Sequence, residues 1–419
     1  MTTGRGSLAL PPGSLSDIRI IDLTQMLAGP YATMMLADHG ADVIKIEPPD
    51  GDMIRPVGPY RAHDQKKVLG GYFQSINRNK RSVCLDLKKP EGRSALLKMV
   101  KNADAIVENY RVGVMERLGL SYEVLHEHNP RLVYVAVRGF GDERTGASPY
   151  GSWPAFDVVA QAMGGIMAIT GPNATTPTKI GPGVGDILPG AMLAFGVLAA
   201  VHHARRTGEG QFVDVAMADA VLALCERTVY QHSVQGLTPG PEGNHHPFLV
   251  PFGIYPAADG FVALGSHQQN FFEIMCRALG ADEILGNPQY ATAELRIQQR
   301  VALSETLSTH TARFTKAELT ARLGGVIPYG PVMNIADITG DPHFAVREMI
   351  VSVEQPGDVP IQIVGVPIKM TGTPGGVHRR APLLGEDTRR RLSEAGLSES
   401  EIDELLEKRA AFAVKDEVT

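Results

Sequence analysis

Hydrophobic and polar positions alternate between two periods over the first 140 residues. Short runs rich in β-branched residues predict strands at Ile18–Leu23 (IRIIDL), Asp42–Glu47 (DVIKIE), Ser82–Leu87 (SVCLDL), Ala105–Glu108 and Leu132–Arg138 (LVYVAVR). Helical spacing fills the gaps. One helix is opened by Pro30, runs through Tyr31–Asp38 and stops at Gly40; another covers Pro90–Asn102. Strands separated by helices of this length predict βαβ units and a mostly parallel sheet, with ligands beyond the carboxyl ends of the strands.

Residues 142–155 are rich in Gly, Ser and Pro and read as a surface loop. Helices are expected over Phe156–Ile169 and over Ile187–Arg206, the second ended by Thr207-Gly208. The segment 236–251 (GLTPGPEGNHHPFLVP) holds four prolines and three glycines and reads as a linker or an active-site loop. Strand runs at Gly253–Pro256 and Phe261–Leu264, followed by helices, predict a smaller α+β module to about residue 325. Helix and strand signals return from Pro331, and a charged helix is expected from Ser398.

Apolar residues make up 43% of the 419 and charged residues 21%, which excludes global disorder. The net charge of −6 argues against nucleic-acid partners and against a polybasic membrane anchor, and leaves room for a local basic pocket. Cys84, Cys225 and Cys276 are far apart, which excludes a disulfide framework and a Cys-based zinc site. The apolar patch Leu8–Leu10 is too short for a signal-peptide core. The run Gly190–Val201 falls short of the roughly 18 residues of a membrane span. A cytoplasmic protein with no membrane segment is expected.

No phosphate-binding G-x-x-x-x-G-K-[ST] loop, G-x-S-x-G elbow or H-E-x-x-H pair occurs, and Gly181–Gly185 does not fit G-x-G-x-x-G. The sharpest candidate is Asp186, between a glycine-rich turn and an apolar helix. It reads either as the helix N-cap or as a carboxylate nucleophile that flanking glycines leave open to a bulky acyl group. The stretch Asn77–Arg81 reads as a solvated basic loop or as part of a basic pocket. Glu108–Arg111 at a strand's carboxyl end, with Arg117 following, suits phosphate or adenine binding. His245 and His246 read as polar loop residues rather than metal ligands, because adjacent side chains point apart.

These residues also form a wider pattern. Asp22-Leu23-Thr24, Ala28–Ala32, Leu36-Ala37-Asp38, Gly40–Glu47, Asn77–Ser82, Leu85–Lys88, Glu108-Asn109-Tyr110 and Arg117-Leu118-Gly119 occur in order. Asn129–Leu132, Gly139-Phe140-Gly141, Thr207–Gln211, Pro328–Pro331 and Ala381–Glu386 continue it almost to the end of the chain. The whole resembles family III CoA-transferases, the formyl-CoA and carnitine CoA-transferase family.

The resemblance implies a Rossmann-like α/β large domain with a parallel sheet, plus a smaller α+β domain. The large domain would cover 1–225 and return over 326–419, and the small one 226–325. Two chains would form an interlocked homodimer. The family's nucleophile matches Asp186. Its CoA contacts map onto Leu27, Ala28, Leu85, Lys88, Asn109, Tyr110, Arg111 and Arg117, and Pro48 stands where the family can carry an arginine. Coenzyme A and acyl-CoA would be substrates beside small carboxylic acids, with no tightly bound cofactor and no metal.

The mechanism so implied runs through an aspartyl anhydride and an aspartyl-CoA thioester on Asp186, with main-chain N–H groups near Gly183–Asp186 holding the oxyanions. Pro328–Pro331 and His267–Gln269 look more like members that use succinyl-CoA. One alternative is a 2-methylacyl-CoA racemase of the same superfamily, which would place a His-Asp pair where Phe156-Asp157 stands. The other is a non-catalytic CoA-binding protein.

Overall fold

The computed structural model describes residues 13–61, 64, 70–356 and 358–414. The apolar patch Leu8–Leu10 lies outside them. The chain gathers into two compact units, one of Met1–Ile166, Ile180–Arg227 and His343–Thr419, the other of Met167–Lys179 and Thr228–Pro342. The second unit runs past the expected limit at 325, because a strand at Tyr329–Pro331 pairs with the strand Gly260–Leu264.

In chain order the first unit builds β1 (Arg19–Asp22), α1 (Ala28–Asp38), β2 (Asp42–Glu47), α2 (Gly71–Ile76), β3 (Arg81–Leu85), α3 (Pro90–Val100) and β4 (Ala105–Glu108). It continues with α4 (Val114–Arg117), α5 (Tyr122–His128), β5 (Val133–Arg138), α6 (Asp157–Met163), α7 (Val184–Thr207), β6 (Phe212–Ala216) and α8 (Met217–Leu224). The second unit holds the antiparallel sheet β7 (Gly253–Ala257), β8 (Gly260–Leu264) and β9 (Tyr329–Pro331). Its core is Tyr255, Val262, Phe272, Met275, Leu303, Leu307 and Leu319. The returning chain adds the hairpin β10 (Ile350–Gln355) and β11 (Asp358–Val364), then β12 (Ala411–Phe412).

The main sheet has the order β12-β3-β2-β1-β4-β5-β6. Its strands are parallel except β12, which runs antiparallel to β3. β5 reads VYVAVR and is buried at every position, as a sheet covered on both faces requires. The chain moves outward one way through β1, β2 and β3, then the other way through β4, β5 and β6. The switch lies between β1 and β4, where sheets of this kind open a crevice for ligands.

Two expected helices change at their ends. The helix expected over Phe156–Ile169 stops at Met163, and Gly165 follows in the left-handed region at φ +92°. α7 begins at Val184, ahead of the expected Ile187. By length and composition this 24-residue helix would suffice to cross a membrane, which the run Gly190–Val201 alone did not indicate. Here its buried stripe, Leu193, Val197, Ala200, Val201 and Ala204, packs on α1, α8 and the sheet. At Gly190 a Cβ would stand 2.6 Å from the Ala28 carbonyl oxygen, so only glycine admits this approach of α1 to α7.

Among the charged residues with no exposure, Asp22, Lys45, Asp52 and Lys80 interact with one another. Lys45 Nζ lies 2.8 Å from Asp52 Oδ2 and donates to the Thr24 carbonyl at 2.6 Å. Lys80 Nζ lies 3.0 Å from Asp22 Oδ2 and donates also to Pro30 O and Asn77 Oδ1. Burial pulls Lys80 down to about 8 despite Asp22. Burial works to raise Asp22, yet Lys80 and Lys45 outweigh it and hold the carboxyl below its usual range. Arg78 is buried against Asp38 at 2.7 Å. The basic stretch is therefore neither a solvated loop nor an open pocket. These charges sit inside the β1–α1 region and pin its backbone.

Replacing Lys45 by Met removes the partner of Asp52 and leaves a buried carboxylate unpaired. Urea unfolding should show a loss of about 3–5 kcal/mol. Arg389→Met, which breaks an exposed pair with Asp403, should change stability by about 0–1 kcal/mol in the same assay.

Candidate active site

The loops after β1 and β4 meet at the switch of strand order. Asn109 joins them: its Oδ1 accepts the Gln25 N–H at 2.8 Å and its Nδ2 donates to the Gln25 carbonyl at 2.6 Å. Asp52 Oδ1 accepts the Met26 N–H at 3.2 Å, so the buried charges hold the same loop from below. Met26 adopts φ +68°, a left-handed conformation that these bonds sustain.

Above these loops lies a cavity of about 390 Å³. Gln25–Ala28, Asn109–Val112, Arg138, Trp153 and Asp186 are among its lining. Five of the expected CoA contacts, Leu27, Ala28, Asn109, Tyr110 and Arg111, therefore face one cavity together with Asp186. Three do not line it. Leu85 is wholly buried in the sheet core, Lys88 is exposed in the turn before α3, and Arg117 is exposed at the end of α4. Burial pushes the Tyr110 phenol up to about 12.

Arg138, at the carboxyl end of β5, was not anticipated. Its guanidinium is held by Glu108 at 2.5 Å and by Asp142. Burial raises Glu108 to about 7 against the pull of Arg138. The strand-end rule that marked Glu108–Arg111 applies equally to Arg138 and would have found it.

Asp186 sits in the first turn of α7, but it is not the N-cap. Gly183 holds that position, with no side-chain cap. The carboxyl is half-buried and is pushed up to about 7, first by burial and second by the charge of Asp157. Tyr72, on α2, belongs to the same neighbourhood: burial raises its phenol, and the charge of Asp186 raises it further.

Three of the main-chain N–H groups expected to hold oxyanions, those of Val184, Gly185 and Asp186, are already engaged. Val184 N–H donates to Pro182 O, Gly185 N–H to Asp157 Oδ1 at 2.8 Å, and Asp186 and Ile187 N–H to Gly183 O. A Cβ at Gly185 would lie 2.8 Å from the Asp157 carbonyl oxygen, so α6 and α7 meet here through glycine. Asp157 was expected only as the residue after Phe156; its tie to the first turn of α7 comes from tertiary packing.

His245 and His246 lie in the second unit, beside a cavity of about 320 Å³ that Arg300 and Glu242 also line. Arg300 pairs with Glu242 at 2.7 Å, and His246 Nδ1 accepts the Phe248 N–H. Among the described residues no group of three or more His, Cys, Asp or Glu side chains is placed to hold a metal ion.

A cavity at the switch of a parallel sheet, with a half-buried carboxylate at a helix start, suits an enzyme that transfers a group. The chain belongs to CoA-transferase family III, whose model matches residues 15–388. It is a CoA-transferase. A succinyl-CoA:mesaconate CoA-transferase from Haloarcula hispanica is 49% identical over 389 residues, 92% of this chain and 97% of that protein. A succinyl-CoA–D-citramalate CoA-transferase from Chloroflexus aurantiacus is 36% identical over 403 residues, 95% of this chain and 98% of that protein. The crystal structure of a CAIB/BAIF family protein from Brucella suis superposes with a TM-score of 0.82 at 31% identity, covering 92% of this chain and all of that one.

Carboxyl-labelled aspartate followed by carbon NMR should show Asp186 titrating near pH 7. Asp157→Asn should lower that midpoint without returning it to an ordinary value, because burial, the larger cause, stays. An unmoved midpoint would exclude Asp157 as a cause.

Proposed function

We propose that this enzyme moves CoA from succinyl-CoA to a small dicarboxylic acid of the mesaconate type, with Asp186 as the covalent carrier. The observation that carries the reading is the half-buried Asp186 carboxylate in the cavity that Asn109, Tyr110 and Arg111 line. The substrate pair rests on the 49% identity to the Haloarcula hispanica enzyme.

An oxygen of Asp186 attacks the thioester carbon of the donor. The C–S bond breaks, leaving a mixed anhydride and CoA thiolate. The thiolate attacks the Asp186 acyl carbon and expels the donor acid as its carboxylate. The acceptor carboxylate then attacks the aspartyl-CoA thioester, and thiolate leaves again. It closes the cycle by attacking the acceptor's acyl carbon, which frees Asp186. Burial suits the carboxylate to this work, since a desolvated anion is a stronger nucleophile than a hydrated one. Loops 25–28 and 109–112 hold the CoA portion, with Arg111 supplying positive charge beside it.

Phe156 lines the cavity where a racemase of this superfamily would carry histidine. A hydrocarbon ring exchanges no proton, so transfer is favoured over racemisation.

The working unit in this reading is an interlocked homodimer. Val158 and Met163 on α6, Met192 and Phe195 on α7, and Leu222 and Leu224 on α8 are all exposed, Phe195 by 75%. Apolar side chains gathered in this number on adjoining helices fit a covered face. The three cysteines are buried and none forms a disulfide, which fits a reducing cytoplasm.

Asp186→Asn should reduce CoA transfer from succinyl-CoA below about one part in 10⁴ while the protein still binds CoA. Borohydride or hydroxylamine should trap an adduct on Asp186 in the unmodified enzyme, located by mass spectrometry. Substantial transfer by the purified variant would sink the assignment. Since the carboxylate is the reactive form, kcat/KM should fall as pH drops through about 7. A profile flat to pH 5 would count against Asp186 as nucleophile.

A further inference from the structure

The segment that delivers Asp186 is weak in itself. Ile180–Gly185 reads IGPGVG, with three glycines and one proline. It has few side chains with which to fix its own path. Two residues of α6 grip it at both ends. Gln161 Oε1 accepts the Ile180 N–H at 2.9 Å. Asp157 Oδ1 accepts the Gly185 N–H at 2.8 Å. The two grips are coupled, because Gln161 Nε2 donates to both Asp157 oxygens at 2.9 and 3.0 Å.

Gln161 has no solvent exposure, so its carboxamide makes these bonds without competition from water. The chemistry demands an amide. One end must accept from a peptide N–H while the other donates to a carboxylate. Glutamate offers no donor and would set a second negative charge against Asp157. Methionine fills the same volume and makes none of the bonds. The helix beneath is itself seated tightly: a Cβ at Gly164 would come within 2.5 Å of Val221 on α8.

We propose that Gln161 is a positioning residue for CoA transfer, its carboxamide tying Ile180 to Asp157 and so fixing where the Asp186 carboxylate meets the thioester. The inference rests on the reading of Asp186 as nucleophile. A misplacement of about 1 Å at a reacting group can cost about 10²-fold in rate.

Gln161→Met should lower kcat about 10²-fold. Its KM for succinyl-CoA and its Kd for CoA should stay within about twofold, because no CoA-facing group has moved. A purely structural role would instead lower the folded fraction or the melting temperature without that split. Gln161→Glu should be impaired by its clash with Asp157. Adding Asp157→Asn to it pairs a donor with an acceptor again, reversed: the amide donor now stands at position 157 and the negative charge at position 161. The double variant should recover at least about tenfold over Gln161→Glu alone. This pair decides the matter even where Gln161→Met does not fold.

A kcat for Gln161→Met within about twofold of the unmodified enzyme overturns the proposal, as does a double variant no faster than Gln161→Glu. Asp186→Asn runs alongside as the control. If it is inactive while Gln161→Met is fully active, the clamp fails and the nucleophile stands. If Asp186→Asn is itself active, the reading beneath the clamp fails.

Discussion

The loop that forms one wall of the candidate site hangs on four buried charges beneath it. Asp22, Lys45, Asp52 and Lys80 have left water entirely. Their mutual attraction offsets the cost only because each is also bonded to backbone or side-chain groups. Those backbone groups are the ones that matter for the site: the Thr24 and Pro30 carbonyls and the Met26 N–H. An apolar core could supply as much stability, but it could not hold the β1–α1 turn by its peptide groups. The charge cluster does so, and the cavity above inherits its shape.

The site joins two different kinds of placement. Loop 25–28 and loop 109–112 come from neighbouring parallel strands and are locked by the Gln25–Asn109 pair. Asp186 comes from a helix that crosses the sheet, and its position depends on glycine contacts at Gly185 and Gly190. The same burial that places the carboxyl in the cavity also raises its pKa to about 7. Placement and reactivity thus share one cause.

Much of this was legible in the chain. The strands Asp42–Glu47 and Ala105–Glu108 match their expected limits residue for residue, because hydrophobic runs bounded by Pro48 and by Asn109 leave little choice. The loops after β1 and β4 carry five of the expected contacts into the cavity. Leu85 and Lys88 are placed as CoA contacts by resemblance, and Arg117 by its nearness to a strand end as well; none of the three lines the cavity.

Local pattern determined the alternation of strand and helix, and hence a parallel sheet with a ligand crevice at its carboxyl edge. It also marked Asp186 as a carboxylate at a helix start. What pattern could not fix was anything that depends on a partner distant in sequence. Lys80 and Arg78 read along the chain as a solvated loop or a basic pocket, and Asp22 and Asp38 beside them make them neither. The N–H groups of the α7 start read as free until Asp157, 28 residues before Gly185, was found to occupy one. A charge or a hydrogen-bond donor has no fixed meaning along a chain; its energy is set by the group it meets, and only the folded molecule brings that group within reach.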